Sequence, residues 1–335
     1  MLMNNDEYFD VLNAIKGTIR QAQYQVSVSA NRELVLMYHH IGQIINAHKK
    51  WGNRFIENLS SDIRLAYPNM KGFSVRNLKY MAKFAAIYPD TEIVQTLSAQ
   101  ISWSHNVAIL DKLTDGKQRI WYIEQSIENG WSKNVLVHQI ESGLYHRQAT
   151  VPKISNFTKR LPSPHGELAQ QMMKDPYVFD FIPMKPDILE RDIEQALVKN
   201  VTGMLLELGK GFAFLGNQYH INVGGDDFYI DLLFYNLNLR CYVVIELKTG
   251  AFQPEYAGKL NFYLSAVDAQ LKKTDDNPTI GLLLCKDKNN LVAEYTLRDM
   301  SKPIGVSGYR ISDPLPESLR DTLPSLEDIR NRIQE

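Results

Sequence analysis

Hydrophobic and polar positions divide this chain into two halves of different period. From residue 8 to 147, apolar residues recur at three- and four-residue spacing and no alternating run appears, so this half is expected to be all-helical. The pattern is plainest over Tyr8 to Ala22, Arg32 to His48, Trp121 to Ile127 and Lys133 to Tyr145. From Glu190 a second core begins. Ile193, Leu197, Val201, Met204, Leu205 and Leu208 trace one face of a helix that Gly209 and Gly211 stop. Runs rich in β-branched and aromatic residues follow at Phe212 to Val223, Phe228 to Tyr235 and Arg240 to Lys248, and each reads as a strand. Gly224 to Asp227 reads as a turn, Gln253 to Lys272 as a helix, and Thr279 to Cys285 as a buried strand. Asn289 to Asp299 is expected to be helical, Ile304 to Ile311 a strand, and Leu326 to Gln334 a terminal helix. Between the halves the text turns polar and Pro-containing. We expect a helical domain over 1–147, a linker and connecting segment over 148–186 with one helix from Pro162 to Lys174 and an extended stretch from Pro176 to Pro183, and a three-layer α/β domain over 187–335.

Composition changes this picture little. A chain of 335 residues with 44% hydrophobic and 22% charged residues suits two ordinary globular cores. No apolar stretch reaches membrane-spanning length and the N-terminus is acidic, so neither a membrane span nor a signal sequence is expected. The two cysteines, Cys241 and Cys285, lie in apolar strand-like runs and read as buried thiols of a reducing, cytoplasmic compartment. Net charge is −1, with +3 over residues 1–150 and −4 over the remainder, so any nucleic-acid binding has to be local and salt-sensitive.

The candidate chemistry lies in the two strands joined by Asn236-Leu-Asn-Leu239. A turn centred on Asn238-Leu239 sets Asp231 opposite Glu246, with Cβ atoms about 5 Å apart. Lys248, two residues further, points to the same face. Acids embedded in apolar strands are costly without a partner. Two carboxylates at this spacing suit Mg²⁺ (or Mn²⁺), a hard cation that takes oxygen ligands. No Ser or Cys triad competes, since His220 is the only histidine in the second domain.

The order helix, strand, strand, strand, helix, strand, with Asp on the second strand and Glu-x-Lys on the third, resembles the PD-(D/E)XK nuclease core. Leu205-Leu-Glu-Leu-Gly-Lys-Gly-Phe-Ala-Phe214, Phe228-Tyr-Ile-Asp-Leu-Leu-Phe-Tyr235, Pro254-Glu-Tyr-Ala-Gly258 and Lys302-Pro-Ile-Gly305 are similar to the YhcG-like family of nuclease-domain proteins, as is the helical first half. The resemblance implies a restriction-endonuclease-like fold and a Mg²⁺- or Mn²⁺-dependent endonuclease or exonuclease acting on DNA. Asp231, Glu246 and Lys248 are its expected catalytic residues. It also implies an acid from the preceding helix in the metal shell; Glu194 fits best, with Glu190 and Glu207 as alternatives. Some nucleases of this superfamily carry Gln-x-x-x-Tyr on the following helix; this chain has Lys259 and Tyr263 there, and Lys259 is a candidate phosphate contact.

Two further groups stand out. Gln218, inside the first strand, either orients a phosphate or water or satisfies a strand edge. After Gly72-Phe-Ser74, with Ser74 an N-cap, Arg76, Lys79 and Lys83 fall on one helix face, as in the second helix of a helix-turn-helix, and are the expected DNA contacts of the first domain. The same face suits a solvated surface. A protein partner or a second copy is the other expected use of the helical domain. The competing reading of the whole chain is a nuclease fold that no longer cuts and serves DNA binding or assembly.

Overall fold

The computed structural model describes residues 5–48, 54–182 and 189–311, and the chain divides between Ile140 and Glu141 into two compact units. The expected terminal helix at Leu326 to Gln334 lies outside the described residues. The described part of the first unit is all helical: α1 (Asn5–Ala47), α2 (Phe55–Ala66), α3 (Val75–Ile87), α4 (Thr91–Thr96), α5 (Trp103–Lys112), α6 (Gly116–Asn129) and α7 (Lys133–Glu141). The two helices expected before residue 48 are one helix. Residues 23–31 supply neither Gly nor Pro, so nothing breaks the hydrogen-bond ladder there. The core of this unit forms where the C-terminal part of α1 crosses α3, with Tyr38, Ile45, Leu78 and Met81 buried together. The crossing is close: a Cβ at Gly42 would stand 2.0 Å from the Met81 carbonyl oxygen. Ser74 caps α3 as expected, its hydroxyl accepting from the Asn77 N–H at 3.3 Å. Trp103 packs on Tyr38 and Phe84 and donates to Asn77, so it is a core residue.

The second unit contains β1 (Ile154–Ser155), α8 (Phe157–Arg160), α9 (His165–Met172), β2 (Tyr177–Val178), α10 (Glu190–Lys199), α11 (Val201–Leu208), β3 (Phe212–Val223), β4 (Asp226–Asn236), β5 (Cys241–Ala251), α12 (Pro254–Gln270), β6 (Ile280–Asp287), α13 (Asn290–Arg298) and β7 (Ile304–Arg310). Strands run in the order β1-β7-β6-β5-β4-β3, with β2 also paired to β7. β3, β4 and β5 form an antiparallel meander; α12 and α13 are the crossovers that make β5, β6 and β7 parallel. One sheet face packs Leu232, Val243, Ile245 and Leu282 against Ile193, Leu197, Met204 and Leu208. The other packs Leu233, Val244 and Leu283 against Leu260, Leu264 and Val267. This is the expected three-layer arrangement, a restriction-endonuclease-like α/β domain that follows the helical one in sequence. Among the described residues no helix is long and apolar enough to cross a membrane.

Two expectations need correction. The helix read as continuous from Glu190 to Leu208 is broken at Asn200, which closes α10 through its N–H to Ala196 and caps α11 by accepting from Gly203 N–H at 3.0 Å. The break costs no core packing, because Ile193, Leu197 and Met204 stay buried. The segment 148–186 is not a free linker where it is described. β1 and β2 pair with β7, and Phe157, Leu161, Met173, Tyr177 and Phe179 belong to the sheet's core. Its polar residues hold β7 in place: Asn156 accepts from Ile304 N–H at 2.7 Å and donates to the Lys302 carbonyl at 3.0 Å. Polar text and prolines gave the linker reading; the backbone groups they satisfy lie some 150 residues away in sequence, beyond any local pattern.

Candidate active site

The β4–β5 hairpin builds the centre. Its pairs Asn236↔Cys241, Tyr235↔Tyr242, Phe234↔Val243, Leu233↔Val244 and Leu232↔Ile245 place Asp231 next, opposite Glu246. The turn holds because Asn236 accepts from the N–H groups of Asn238 at 3.0 Å and Leu239 at 2.9 Å. The pair is knitted to the strands. Leu247 N–H donates to Asp231 Oδ2 at 2.9 Å, and Asp231 N–H reaches Glu246 Oε1 at 3.5 Å. Glu246 is 1% exposed.

Two acids in so dry a place disturb each other. Burial, and then the charge of Asp231, push the Glu246 carboxyl up to about 7, against the pull of Lys259 and Lys248. Asp231 is also raised, by burial, although the Leu247 N–H and Lys248 oppose it. The ammonium groups are close. Lys259 on α12 donates to Glu246 Oε2 at 3.1 Å and lies over the Tyr263 ring. Burial works against the Lys259 charge, yet Glu246 holds its pKa above the ordinary lysine value. Tyr263 itself donates to the Tyr229 carbonyl at 3.0 Å.

Lys248 is positioned from four sides. Its Nζ donates to Glu190 Oε2 at 3.0 Å and to the Leu247 carbonyl at 2.8 Å, stands 4.0 Å from Glu246 Oε2, and lies 5.5 Å from the centre of the Tyr256 ring. Glu190 is tied in turn to Thr249 N–H at 3.4 Å. Glu190 therefore serves Lys248, a link that the separation of 58 residues hid in the sequence.

Glu194 is buried on α10, but its oxygens are already engaged. Asn217 donates to one at 2.8 Å and Gln218 to the other at 2.7 Å. Adjacent strand residues normally point to opposite faces. Here Gln218 has φ +44°, which lets both amides reach one carboxylate. The β3–β4 register sets Gln218 opposite Asp231, and the Glu194 charge contributes to the rise of the Asp231 pKa. Among the described residues no three His, Cys, Asp or Glu side chains gather as a metal cluster. Of the three expected acids, Asp231 and Glu246 face each other across the hairpin, while the β3 amides engage both oxygens of Glu194. Asn217 was missed; its only sequence signal is the polar Asn-Gln step inside a strand. Glu207 lies elsewhere, buried with Arg147 at 2.5 Å and Lys174 at 3.8 Å.

The remaining donors fit a hard divalent cation. Asp231, Glu246 and the Leu247 carbonyl offer only oxygen, that carbonyl also accepting from Lys248 at 2.8 Å, and burial raises both carboxyl pKa values. In the first unit Arg76, Lys79 and Lys83 share an exposed face of α3. Lys79 lies 3.7 Å from Glu57, Lys83 lies 3.8 Å from Asp111 and donates to the Leu110 carbonyl, and Arg76 leans on Tyr80. The face is basic but partly neutralised.

Comparison with known proteins places these features. Residues 14–147 match the DUF1016 N-terminal domain. The chain is 29% identical to "Putative nuclease YhcG" of Escherichia coli (strain K12), over 94% of this chain and 93% of that protein. Among solved structures, a repair endonuclease from Pyrococcus abyssi aligns at 13% identity over 40% of this chain and 50% of its own, with a TM-score of 0.26. An EndoMS–dsDNA complex aligns at 16% identity over 40% and 51%, with a TM-score of 0.27. The chain spans about half the length of these two, and at such scores they carry no argument. Residues 170–324 match the YhcG PDDEXK nuclease domain, so the two halves match, in order, the two domains of the YhcG-like family of PD-(D/E)XK nuclease-domain proteins, to which this chain is similar over most of its length.

Proposed function

We propose that this chain is a metal-dependent nuclease that hydrolyses phosphodiester bonds in DNA, working in a bacterial cytoplasm. The observation that carries the reading is the pairing of half-buried Asp231 with buried Glu246, with the Lys248 ammonium 4.0 Å from a Glu246 oxygen. Asp231, Glu246 and the Leu247 carbonyl would hold Mg²⁺ or Mn²⁺, which supplies charge to the scissile phosphate and acidity to a bound water. Lys248, kept in place by Glu190 and the Leu247 carbonyl, offers its positive charge to the phosphate as negative charge develops on it. Lys259, half exposed, exchanges Glu246 for a phosphate oxygen when substrate arrives. Glu194 orients Gln218 beside Asp231 and acts through it. The two free thiols are buried and suit a reducing cytoplasm.

Cleavage of plasmid and single-stranded DNA with Mg²⁺, with Mn²⁺ and with excess EDTA tests this reading. Cleavage is expected only with a metal, and undiminished cutting in EDTA sinks the proposal. A second reading, a non-cutting DNA-binding or assembly protein, draws on the closed bonding of Glu246 to Lys259. It predicts DNA binding without cleavage under every metal condition.

Arg76, Lys79 and Lys83 are the proposed DNA contacts of the helical domain. Exposed ion pairs such as Lys79–Glu57 contribute little, so phosphates can replace the acids. The triple Ala variant is expected to bind DNA more weakly, with a salt slope shallower by about 2–3 if each charge meets one phosphate. Unchanged affinity and slope would assign the face to solvent or to a protein.

A further inference from the structure

The β3–β4 ribbon changes face at the rung that carries Asp231. Residues two apart on a regular strand point to the same side. On β4, however, Leu232 and Phe234 pack with Ile193 and Leu197, whereas Phe228 and Ile230 pack on the opposite sheet face with Tyr263 and Val267. Their partners on β3 follow, Phe214 with Phe234 and Tyr219 with Ile230. The turnover falls at Gln218 and Asp231, which stand opposite each other between the pairs Asn217↔Leu232 and Tyr219↔Ile230. A register shift between Phe214 and Gly216 puts Gln218, and not Asn217, on that rung. Gln218 is also where the β3 backbone turns left-handed, at φ +44°. β4 leaves β5 at the same level. Their paired rungs end at Leu232↔Ile245, and past that point carboxylates meet the N–H groups: Asp231 Oδ2 accepts from Leu247 at 2.9 Å and Glu246 Oε1 from Asp231 at 3.5 Å.

A glutamine takes a left-handed φ only at a cost that glycine escapes. Here a clamp offsets the cost. Glu194, 5% exposed on α10, accepts from the Gln218 amide at 2.7 Å and from the Asn217 amide at 2.8 Å. Hydrogen bonds to a carboxylate are the strong kind. They tie both residues at the turnover to one helix. We propose that Gln218 is a backbone pivot: Glu194 holds its left-handed conformation, which rolls the ribbon, parts β4 from β5 and aims the Asp231 carboxylate at Glu246. Glu194 and Gln218 are then positioning residues, and Glu194 acts on the metal seat only through the strand. The use of the pivot rests on the proposed metal seat at Asp231 and Glu246; the pivot itself is a property of the fold.

Gln218→Gly and Gln218→Ala in the full chain test the pivot, because both lose the amide and differ in the backbone they allow. At an ordinary strand position the glycine variant is the less stable of the two. At a pivot it melts higher, by about 2–4 °C. In calorimetric titration it also binds Mg²⁺ more tightly than the alanine variant, by about fivefold or more. A double-mutant cycle places Glu194. Glu194→Gln keeps the size of the side chain but sets its own amide hydrogens against a donor. It is expected to weaken Mg²⁺ binding in the wild-type background, and to do so less in the Gln218→Gly background, where the backbone needs no clamp. An alanine variant that melts at or above the glycine variant overturns the pivot. Equal Mg²⁺ affinity in those two variants overturns its action on the site. Equal losses from Glu194→Gln in the two backgrounds make Glu194 a direct partner of the metal and overturn its positioning role. If the wild type binds no Mg²⁺, the metal reading fails, and the order of melting still decides the pivot.

Discussion

Lys248→Ala is expected to lower the rate of DNA cleavage by roughly 10²–10³-fold, the size seen when one donor to a developing charge is removed. The side chain makes no bond to the Asp231 carboxylate; its contacts are Glu190, the Leu247 carbonyl, Glu246 Oε2 at 4.0 Å and the Tyr256 ring. Metal affinity should therefore remain, or rise slightly, because one positive charge near Glu246 is gone. Folding should be little changed. Glu190 is 44% exposed and regains water when its partner leaves. Single-turnover cleavage, metal titration and a melting curve on the same variant separate these effects. A variant that cuts like wild type would make Lys248 structural, and the non-cutting reading would lead.

Glu207→Ala should destabilise the nuclease domain by about 3–5 kcal/mol, because it strands two buried cations. Arg147 donates to Glu207 Oε1 at 2.5 Å, Lys174 donates to the Glu207 carbonyl, and Glu207 Oε1 also accepts from Val178 N–H at 2.8 Å. Arg147 binds the Ser142 and Pro176 carbonyls at 3.0 Å as well, so it cannot swing out without breaking those bonds. The loss should depend on pH with a definite sign. Burial lowers Lys174 to about 8, with Glu207 holding it up against that. A base with a depressed folded pKa gains stability as pH rises from the folded toward the unfolded value, since the unfolded chain binds more protons there. Without Glu207 that window opens at lower pH. The gap between variant and wild-type melting temperatures should narrow as pH is raised from 7 toward 8. A variant that melts with the wild type at pH 7 would show that the cluster contributes nothing to folding.

How much of this was legible in the sequence depended on distance along the chain. The Asp231–Glu246 pairing could be read because the turn and both strands lie within a few residues, and the side-chain period of two leaves one register that buries the apolar set. The Ser74 cap was legible for the same reason. The engagement of Glu194 was not. It depends on a φ of +44° at Gln218, and a glutamine gives no sign of that conformation in sequence. The Lys259–Glu246 bond depends on how α12 lies across β5, and the Glu190–Lys248 bond on how α10 meets the same strand. Both are products of packing. The linker reading failed where Asn156 and the apolar residues beside it found partners on β7.

Calorimetric titration of Mg²⁺ into wild type and Asp231→Asn tests the central claim most directly, because it asks whether this pair holds a cation before any question of substrate. Asn keeps the size of the side chain and can still accept from Leu247 N–H, so the fold should persist while one charged oxygen is lost. The account predicts saturable binding to the wild type and at least a tenfold weaker affinity, about 1.4 kcal/mol or more, for the variant. Equal binding by both proteins would contradict it, as would no binding by either.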